Sequence, residues 1–417
     1  MAAYTTKGGA AAMTVVVVGA GQAGVQTAAS LRDNGYPGRV VLVGDEPGEP
    51  YQRPPLSKGY LEGTADAARL TLRGSSFFAK NDIDFLNTRV RRIDRDRKRV
   101  LTADGDELAY AHLVLATGSR NRALPVPGAA LDGVFGLRTR EDADVLRDRL
   151  GAAQHVVVIG GGFIGLEFAA TAAKLGRSVT VVETVGRVLA RVASPAVSAH
   201  YTDLHETHGN RILTGRTVTR LLGESSVTGV EVAGNGPDLV LPADLVVVGI
   251  GVIPNTELAA DAGLAVDNGI LVDECLSTSD SNVSAIGDCA AHSSPFASGP
   301  VRLESVQNAV DQARCVAAKL TGETAPYRSV PWFWSDQFHT KLQIAGLANG
   351  YDRTVVSGEP GAFSVFCFQG ERLRAVESVN RPADHMAARR LFAAGTGLHP
   401  DDIDDGFELK RHLASAG

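Results

Sequence analysis

Two short apolar runs in the first half of the chain each lead directly into a glycine-rich turn. The first run, TVVVV at residues 14–18, shows no alternation of polar and apolar positions. Such a run predicts a strand buried on both faces, as in a parallel sheet. A stretch of helical composition follows and ends at Gly35, and a second strand is predicted at residues 39–43. The order is therefore strand, glycine turn, helix and strand, with acidic residues after it.

The glycine turn reads GAGQAG, a G-x-G-x-x-G fingerprint in which each position has a physical task. Gly19 permits the tight turn, Gly21 lets the backbone approach a diphosphate, and Gly24 lets the helix pack closely on the strand. The helix N-terminus offers free N–H groups to phosphate. Asp45, 21 residues past Gly24, can accept ribose hydroxyls, with the adjacent Glu46 as the alternative. This segment predicts a dinucleotide site.

The same order of elements returns later in the chain. A strand is predicted at residues 155–159 and a helix at 166–175, and the strand after them ends at Glu183. The first glycines of the two fingerprints lie 141 residues apart, which is too far for one βαβ unit and indicates two dinucleotide-binding domains. The glycines of the second fingerprint are Gly160, Gly162 and Gly165.

Two dinucleotide sites in one chain imply an electron donor and a resident carrier, and FAD with a nicotinamide is the pair that makes chemical sense. Glu183, 18 residues past Gly165, bears on which nicotinamide binds. A carboxylate there accepts from a ribose 2′-hydroxyl and repels a 2′-phosphate. Because no lysine or arginine follows until Arg187, NADH is expected rather than NADPH.

Composition narrows the class of protein. The chain has 417 residues, 44% of them hydrophobic, and a net charge of −6, which predicts several folded domains and excludes disorder. The basic run at residues 89–99 contains two aspartates and interspersed apolar residues, so a solvated hairpin is expected there rather than a nucleic-acid site. The four cysteines form no C-x-x-C pair, and the histidines show no metal-ligand spacing, so no metal site is expected.

Localisation signals are weak along the chain. No apolar stretch approaches the 18 residues of a membrane-spanning helix, and no membrane association is expected. Residues 1–12 lack the apolar core of a signal peptide, so a flexible extension is expected there, with a targeting role as the alternative. The expected location is the cytoplasm.

Further motifs carry a resemblance to a known family. The runs LVLATG, LVVVGIG with the nearby PN, and AIGD are similar to segments of two-dinucleotide flavoprotein reductases. PYQRPPLSK and PWFWSDQ are more specific. Together they resemble the NADH-dependent ferredoxin reductases of bacterial oxygenase systems, members of the FAD-dependent pyridine nucleotide-disulfide oxidoreductase superfamily. The resemblance covers nearly the whole chain after Met13.

The resemblance implies an α/β fold with two Rossmann-like dinucleotide-binding domains, for FAD and NAD, and a C-terminal α+β domain. The FAD domain is expected at residues 13–117 and 249–325, with the NAD domain, residues 118–248, inserted within it. The C-terminal domain is expected at residues 326–417. Strand-like runs at 341–347, 354–357 and 362–369 favour a sheet in that last part independently.

Site residues also follow from the resemblance. Arg138 would neutralise diphosphate charge and Asp288 would hold a ribityl hydroxyl, whereas Ala23 and Val90 would act through backbone or van der Waals contact. Ala116 and Gly251 lie at the ends of the two similar strands. The FAD contacts that the resemblance implies are Ala23, Asp45, Lys58, Val90, Ala116, Arg138, Asp288 and Val306, and those to NAD include Glu167, Glu183 and Gly251.

Hydride transfer is expected at Lys58 and Glu167, which the resemblance brings to the nicotinamide side of the flavin. An ammonium there would offset developing negative charge, and the carboxylate would pair with it. We therefore predict a Lys58–Glu167 ion pair. The alternatives are a surface lysine and a carboxylate that merely favours the helix dipole. Trp332 and Trp334 should share a face of a strand; the resemblance places Trp334 beside the flavin, and core packing is the alternative.

Residues 46–60 contain no cysteine, unlike disulfide reductases of this architecture, so electrons should leave the flavin without a thiol relay. Cys289 is expected to be a small buried residue, with an approach to the flavin as the alternative.

The expected activity is that of an FAD-dependent NADH:ferredoxin oxidoreductase that supplies an oxygenase. The expected assembly is a monomer or weak homodimer. Rubredoxin, a quinone or dioxygen as acceptor, or a redox-sensing binding protein, are the alternatives. By resemblance to the family's docking surface, the candidates for docking a 2Fe–2S ferredoxin are Arg73 and Arg314, with Lys341 as a weaker one. The alternative for either arginine is an ordinary solvated charge.

Overall fold

A computed structural model describes residues 13–404 and 407–415, so the extension expected at residues 1–12 lies outside the described residues. The chain forms two compact units, each built from three segments. Residues 53–69, which fall within the expected FAD domain, belong to the second unit, and that unit also contains the segments expected to bind NAD and to form the C-terminal domain. The first unit comprises the chain up to Gln52, Leu70–Arg120 and Ile253–Pro331, and the second comprises Arg53–Arg69, Asn121–Val252 and Trp332 onward.

The first unit is built on a five-stranded parallel sheet. Its valine strand is buried on both faces, because Val15 and Val17 pack into one apolar cluster and Val16 and Val18 into another. The absence of polar alternation in the sequence has this cause. The strands run in the order Val283–Ala285, His112–Leu115, Val15–Val18, Val40–Gly44 and Ile83–Asn87.

Two smaller sheets and four helices complete the first unit from Met13 onward. One sheet contains the hairpin expected at the basic run, with the turn between Asp94 and Arg99. Its strands are Val90–Asp94, Arg99–Thr102 and Glu107–Ala109, and those of the other sheet are Val266–Asp267, Gly269–Val272, Ala290–Ser293 and Pro300–Val301. The helices are Gln22–Asp33, Ser75–Lys80, Glu257–Asp261 and Val306–Leu320.

The second unit contains another five-stranded parallel sheet and an antiparallel sheet of three strands. The parallel strands run in the order Arg211–Thr214, Ser178–Glu183, His155–Ile159, Leu245–Val248 and Val134–Gly136. The antiparallel strands are Arg216–Leu222, Gly229–Gly234 and Leu239–Pro242. The helices of this part are Arg140–Ala152, Phe163–Lys174 and Pro195–Thr207.

The C-terminal part of the second unit is a five-stranded antiparallel sheet with helices. Phe366, Phe368 and Val376 of the sheet pack with Leu391 of one helix in a buried cluster. The strands run in the order Trp332–Gln337, Thr340–Gly346, Arg372–Val379, Ala362–Gln369 and Arg353–Glu359, and the helices are Pro382–Ala394 and Leu409–Ser415. The expected α/β fold with a C-terminal sheet domain is confirmed.

Several short elements complete the fold of the described residues. A turn of 3-10 helix, Pro54–Ser57, immediately precedes Lys58, and another, Gly287–Cys289, contains Asp288. The two turns therefore fix the backbone at or next to Lys58 and Asp288, two of the predicted site residues. The remaining short elements are the helix Ala67–Leu70, the strands Ser119–Asn121 and Val252–Pro254, and the 3-10 turn Pro400–Asp402.

Candidate functional site

The first glycine fingerprint connects the central strand of the first unit to the helix Gln22–Asp33. Gly19 has φ +109°, and a Cβ there would overlap the carbonyl oxygen of Ala116, so only glycine fits this turn. A Cβ at Gly24 would overlap the Gly19 carbonyl, whereas one at Gly21 would meet no atom within 4 Å. The turn is closed on the protein side and open at its middle glycine. These residues fit a bound dinucleotide diphosphate.

Two acidic residues follow the next strand. Gly44 lies against the fingerprint turn, since a Cβ there would lie 2.5 Å from the Cβ of Ala20. Asp45 comes directly after it and pairs with Arg89, with 3.2 Å between Oδ2 and Nε. Glu46 accepts a hydrogen bond from the Tyr51 hydroxyl. Asp45 is therefore the acidic residue next to the end of the strand, as a ribose ligand requires.

Three further residues predicted to contact FAD lie around the same turn. Ala116 supplies the carbonyl that faces Gly19, and a Cβ at Gly287 would lie 3.2 Å from the Cβ of Ala23. The neighbouring Asp288 accepts a hydrogen bond from the Ser119 hydroxyl at 2.9 Å. The first unit thus brings Ala23, Ala116 and the turn that carries Asp288 to the first fingerprint.

Other predicted FAD residues are placed differently. Val306 is the first residue of its helix, which Ser305 caps by accepting the N–H of Asn308. Val90 is buried at the start of the hairpin. Arg138 belongs to the second unit, where its backbone N–H donates to Asp142. The roles of these residues stay predictions.

Gln312 is a residue of this region that the sequence reasoning missed. Its side chain is fully buried, its amide oxygen accepts the N–H of Gly287 at 2.7 Å, and its amide nitrogen contacts His292. Gln312 therefore holds the turn that carries Asp288. Its signal in the sequence is a polar residue among the alanines and valines of the buried stripe of the helix Val306–Leu320, which also contains Asn308.

The second fingerprint repeats the first. Gly160 has φ +107°, a Cβ there would overlap the carbonyl of Gly249, and one at Gly165 would overlap the carbonyl of Gly160. A Cβ at Gly162 would meet no atom within 4 Å. Gly251, which also has positive φ, lies beside the Arg191 guanidinium. This turn also fits a dinucleotide diphosphate.

Glu183 is held at that second turn. Its Oε2 accepts the N–H of Gly161 at 2.7 Å, and its Oε1 accepts the N–H of Val185 at 3.0 Å. Arg187, the first basic residue after it, donates instead to the carbonyls of Ala190 and Ala193 and to a serine hydroxyl. The acidic side chain is thus fixed beside the fingerprint, while the Arg187 guanidinium is hydrogen-bonded to the loop and the helix that follow it.

The predicted Lys58–Glu167 ion pair is confirmed, with 2.5 Å between Nζ and Oε2. Glu167 is 3% exposed and also accepts the hydroxyls of Ser57 at 2.6 Å and Ser335 at 2.7 Å. Its two oxygens therefore receive three donors, as an ionised carboxylate can. The helix begins at Phe163 rather than near residue 166, so Glu167 lies beyond the first turn. Burial and side-chain contacts, rather than the helix dipole, define its surroundings.

Trp332 and Trp334 share a face of their strand, as predicted, with ring centroids 5.6 Å apart. Both are partly exposed, so neither is an ordinary core residue. Trp332 contacts the His385 ring, and the Arg389 guanidinium lies 4.6 Å from its centroid. The place of Trp334 beside a flavin stays a prediction.

Cys289 is fully buried, and its thiol donates to the Ile286 carbonyl at 3.2 Å. Burial raises the pKa of this thiol. Both facts agree with the expected small buried residue. Across residues 13–404 and 407–415, no group of three or more His, Cys, Asp or Glu side chains could hold a metal ion, and no helix is long and apolar enough to cross a membrane.

The three docking candidates are cations on the surface. The Arg314 side chain is 62% exposed, and its guanidinium makes a long ion pair of 3.9 Å with the Asp311 carboxylate. The Lys341 ammonium lies 3.5 Å from the Asp336 carboxylate. Arg73 lies over the Phe77 ring at 5.2 Å. Exposed pairs of this kind contribute little stability, which leaves the charges available to a partner.

Comparisons with known proteins agree with this geometry. A model of the pyridine nucleotide-disulphide oxidoreductase family matches residues 13–313, and a reductase C-terminal model matches residues 332–413. The chain is 53% identical over 409 residues to rhodocoxin reductase of Rhodococcus erythropolis. That match covers 96% of this chain and 95% of the relative.

Solved structures extend the likeness to the fold. The crystal structure of a ferredoxin reductase for the CYP199A2 system of Rhodopseudomonas palustris matches with a TM-score of 0.93 and 49% identity, over 96% of this chain and 99% of that one. The reductase in a covalent putidaredoxin reductase–putidaredoxin complex matches with a TM-score of 0.92 and 45% identity, over 97% and 98%. The chain therefore belongs to the pyridine nucleotide-disulphide oxidoreductase family and is an FAD-dependent oxidoreductase that uses NAD(H).

Proposed function

We propose that this enzyme passes electrons from NADH through FAD to a 2Fe–2S ferredoxin, which in turn supplies an oxygenase. The observation that carries the proposal is the full-length likeness to a reductase solved in covalent complex with its redoxin. Bound FAD supplies the chemistry that the task needs, because it can accept two electrons together and release them singly. The protein's own residues bind and orient the two dinucleotides and set the charge around them.

The Lys58–Glu167 pair is proposed to serve hydride transfer. Glu167 follows the second fingerprint by two residues, so it lies close in sequence to the predicted nicotinamide site, and the ion pair brings Lys58 to it. A fixed ammonium stabilises negative charge that develops in a transition state, and it costs no reorganisation when it is already in place. The buried carboxylate, with its serine donors, keeps the ammonium in position.

Glu183 is proposed to select NADH. Its carboxylate is fixed by two backbone N–H groups, so it cannot readily swing away from a 2′-phosphate. The side chain of Arg187 is hydrogen-bonded to the carbonyls of Ala190 and Ala193 and to the Ser198 hydroxyl, which ties up its donors. A 2′-hydroxyl can donate to the carboxylate, whereas a 2′-phosphate is repelled by it.

Electrons are proposed to leave without a thiol relay, since residues 46–60 contain no cysteine. Arg73 and Arg314, with Lys341 as a weaker candidate, are proposed to contact an acidic ferredoxin, with Trp334 near the exit route. The net charge of −6 means that a local group of cations, rather than the overall charge, must steer the partner.

The proposal includes a location and an assembly state. The cytoplasm is proposed because the reaction draws on the cell's NADH. A monomer or weak homodimer is proposed because the expected electron path uses one copy of each dinucleotide site, and both fingerprints lie in one chain.

The test is anaerobic turnover with a panel of acceptors. Purified holoenzyme and NADH are mixed with 2Fe–2S ferredoxins, a rubredoxin and a water-soluble quinone, and oxygen consumption is followed separately. We expect at least one 2Fe–2S ferredoxin to be reduced fastest. Faster reduction of rubredoxin, quinone or dioxygen would assign another acceptor, and slow turnover with all of them would favour a redox-sensing protein.

A further inference from the structure

The motif PWFWSDQ has two faces, and only one of them enters the proposed function. In the strand Trp332–Gln337, the tryptophans occupy alternate positions on one face. Ser335 and Gln337 therefore share the opposite face, because side chains alternate along a strand. Both are buried, with exposures of 0% and 1%. Buried polar side chains require partners, and the Ser335 hydroxyl and the Gln337 amide oxygen each find one outside the C-terminal sheet.

The partners form one hydrogen-bonded chain within the second unit. Ser335 donates its hydroxyl to Oε1 of Glu167 at 2.7 Å. Gln337 donates its amide nitrogen to the Ser335 oxygen at 3.1 Å, and its amide oxygen lies 2.9 Å from Nε2 of His205. The other ring nitrogen, Nδ1, lies 2.9 Å from the amide nitrogen of Asn210. This series of hydrogen bonds therefore runs from Asn210 to Glu167.

The direction of each hydrogen bond in this chain follows from the one before it. Glu167 accepts, so Ser335 donates to it and must accept from Gln337 through its own oxygen. The amide oxygen of Gln337 then faces Nε2 of His205, which must carry the proton. Burial lowers the pKa of His205 to about 4, so the ring is neutral and its Nδ1 accepts from Asn210.

We propose that Ser335 and Gln337 are positioning residues for the Lys58–Glu167 pair. By fixing the Ser335 hydroxyl as a donor, Gln337 holds Oε1 of Glu167, and this leaves Oε2 turned toward Lys58 and Ser57. Without that donor the carboxylate can rotate, and the ammonium is then held only by its longer contacts to the Pro54 carbonyl at 3.2 Å and the Ser57 hydroxyl at 3.4 Å. The inference rests on the proposed role of Lys58 in hydride transfer.

The chain offers a matched control. Ser364 is also a fully buried serine of the C-terminal sheet, and it donates to the Asp384 carboxylate at 2.8 Å. Ser335→Ala and Ser364→Ala therefore remove the same kind of bond from the same sheet. Of the two variants, Ser335→Ala alone should act on Glu167, and Ser335→Thr, which keeps the hydroxyl, should restore most of the function.

The experiment is a double-mutant cycle on the holoenzyme, read as the limiting rate of flavin reduction at saturating NADH. Ser335→Ala and Gln337→Leu should each lower this rate roughly three- to tenfold, and the double variant should be no slower than Ser335→Ala within about twofold. Ser364→Ala should stay within about twofold of the wild type. Should Gln337→Leu fail to fold, Gln337→Glu keeps the size and draws the Ser335 hydroxyl away from Glu167, with the same expected loss.

A second readout needs no NADH. The midpoint potential of the bound flavin, measured by dye equilibration, should become more negative in Ser335→Ala than in Ser364→Ala, because a displaced ammonium stabilises the reduced flavin less. Three results would each overturn the inference. The rate losses of Ser335→Ala and Gln337→Leu could multiply in the double variant, Ser335→Ala and Ser364→Ala could have equal effects, or Ser335→Ala could leave both the reduction rate and the flavin potential unchanged. A wild type that NADH does not reduce, but whose potential still responds to Ser335→Ala, would overturn the proposed function and leave this inference standing.

Discussion

The carboxylate of Glu377 accepts the backbone N–H of Ser194 through both of its oxygens, at 2.9 and 3.0 Å. Ser194 caps the helix Pro195–Thr207, and Glu377 lies fully buried in the central strand of the C-terminal sheet. Burial, which the Ser194 hydrogen bonds and the charge of Arg187 offset only in part, raises the pKa of Glu377 to about 7. The burial of this carboxyl therefore makes part of the stability depend on pH.

We predict that Glu377 lowers stability as the pH rises. The folded protein holds this proton up to about pH 7, whereas the unfolded chain releases it near the ordinary value of 4.5. The stabilisation is fully present below about pH 4.5 and is lost as the pH rises through 7. Glu377→Gln should lack this loss, so the wild-type free energy of unfolding should fall by roughly 1–3 kcal/mol relative to the variant across that window.

Urea unfolding of holoenzyme at several pH values between 4.5 and 8 measures this difference. Four buried histidines have pKa values lowered to about 4, which gives the opposite slope, but they are the same in both proteins and cancel in the comparison. They are His112, His205, His292 and His385. Parallel curves for wild type and Glu377→Gln would show that the carboxyl does not titrate in this range.

Replacement of Glu183 should shift the choice of nicotinamide. Glu183→Gln removes the charge that faces a 2′-phosphate but keeps the size of the side chain, so the ratio of kcat/KM for NADPH to that for NADH should rise by the equivalent of about 1–3 kcal/mol. Steady-state kinetics with both nucleotides measure the ratio, and Glu206→Gln, which alters an exposed carboxylate of the same unit, is the control. A wild type more efficient with NADPH would refute the role.

Lys58→Ala should slow flavin reduction by roughly tenfold or more while changing NADH affinity less, because the charge that it offsets appears mainly in the transition state. Stopped-flow reduction over a range of NADH concentrations separates the two effects. Lys174→Ala is a matched control, since Lys174 pairs with Glu62 at 3.1 Å between the same two segments of the second unit. An unchanged limiting rate in Lys58→Ala would remove the residue from the mechanism.

Arg314→Glu should slow ferredoxin reduction and spare a small acceptor such as ferricyanide, because a partner's acidic surface would meet a reversed charge. The loss should shrink as salt is added, since screening weakens exposed charges. Arg220→Glu makes the same charge change at another exposed arginine and should leave both activities intact. If both acceptors lost activity equally in Arg314→Glu, the residue would belong to folding or flavin binding.

Local patterns predicted much of this fold and part of the site. The two strand–glycine–helix segments follow from valine runs and glycine spacing, which depend on neighbours in sequence. Only resemblance paired Lys58 with Glu167, because a contact across 109 residues leaves no local periodicity. The helix around Glu167 began three residues earlier than predicted, since the fingerprint glycines do not show where helical hydrogen bonding starts.

The polar residues behind the site were missed for a related reason. Ser335, Gln337 and His205 look like ordinary polar residues in sequence, and their connection exists only once a strand of the C-terminal sheet packs beside the helix that carries Glu167. Gln312 is similar, since its bond to Gly287 depends on tertiary packing. Sequence patterns reveal which face is buried more readily than which buried polar groups meet.

Electron transfer from NADH through FAD to a ferredoxin is tested by counting the ferredoxins reduced per NADH. Holoenzyme is mixed anaerobically with one equivalent of NADH and then with excess oxidised 2Fe–2S ferredoxin, and the ferredoxin spectrum is followed to completion. We expect two ferredoxins to be reduced per NADH, because FAD accepts electrons in a pair and releases them singly. A flavin that stays reduced in the presence of every 2Fe–2S ferredoxin offered, and is reoxidised only when dioxygen is admitted, would contradict this expectation.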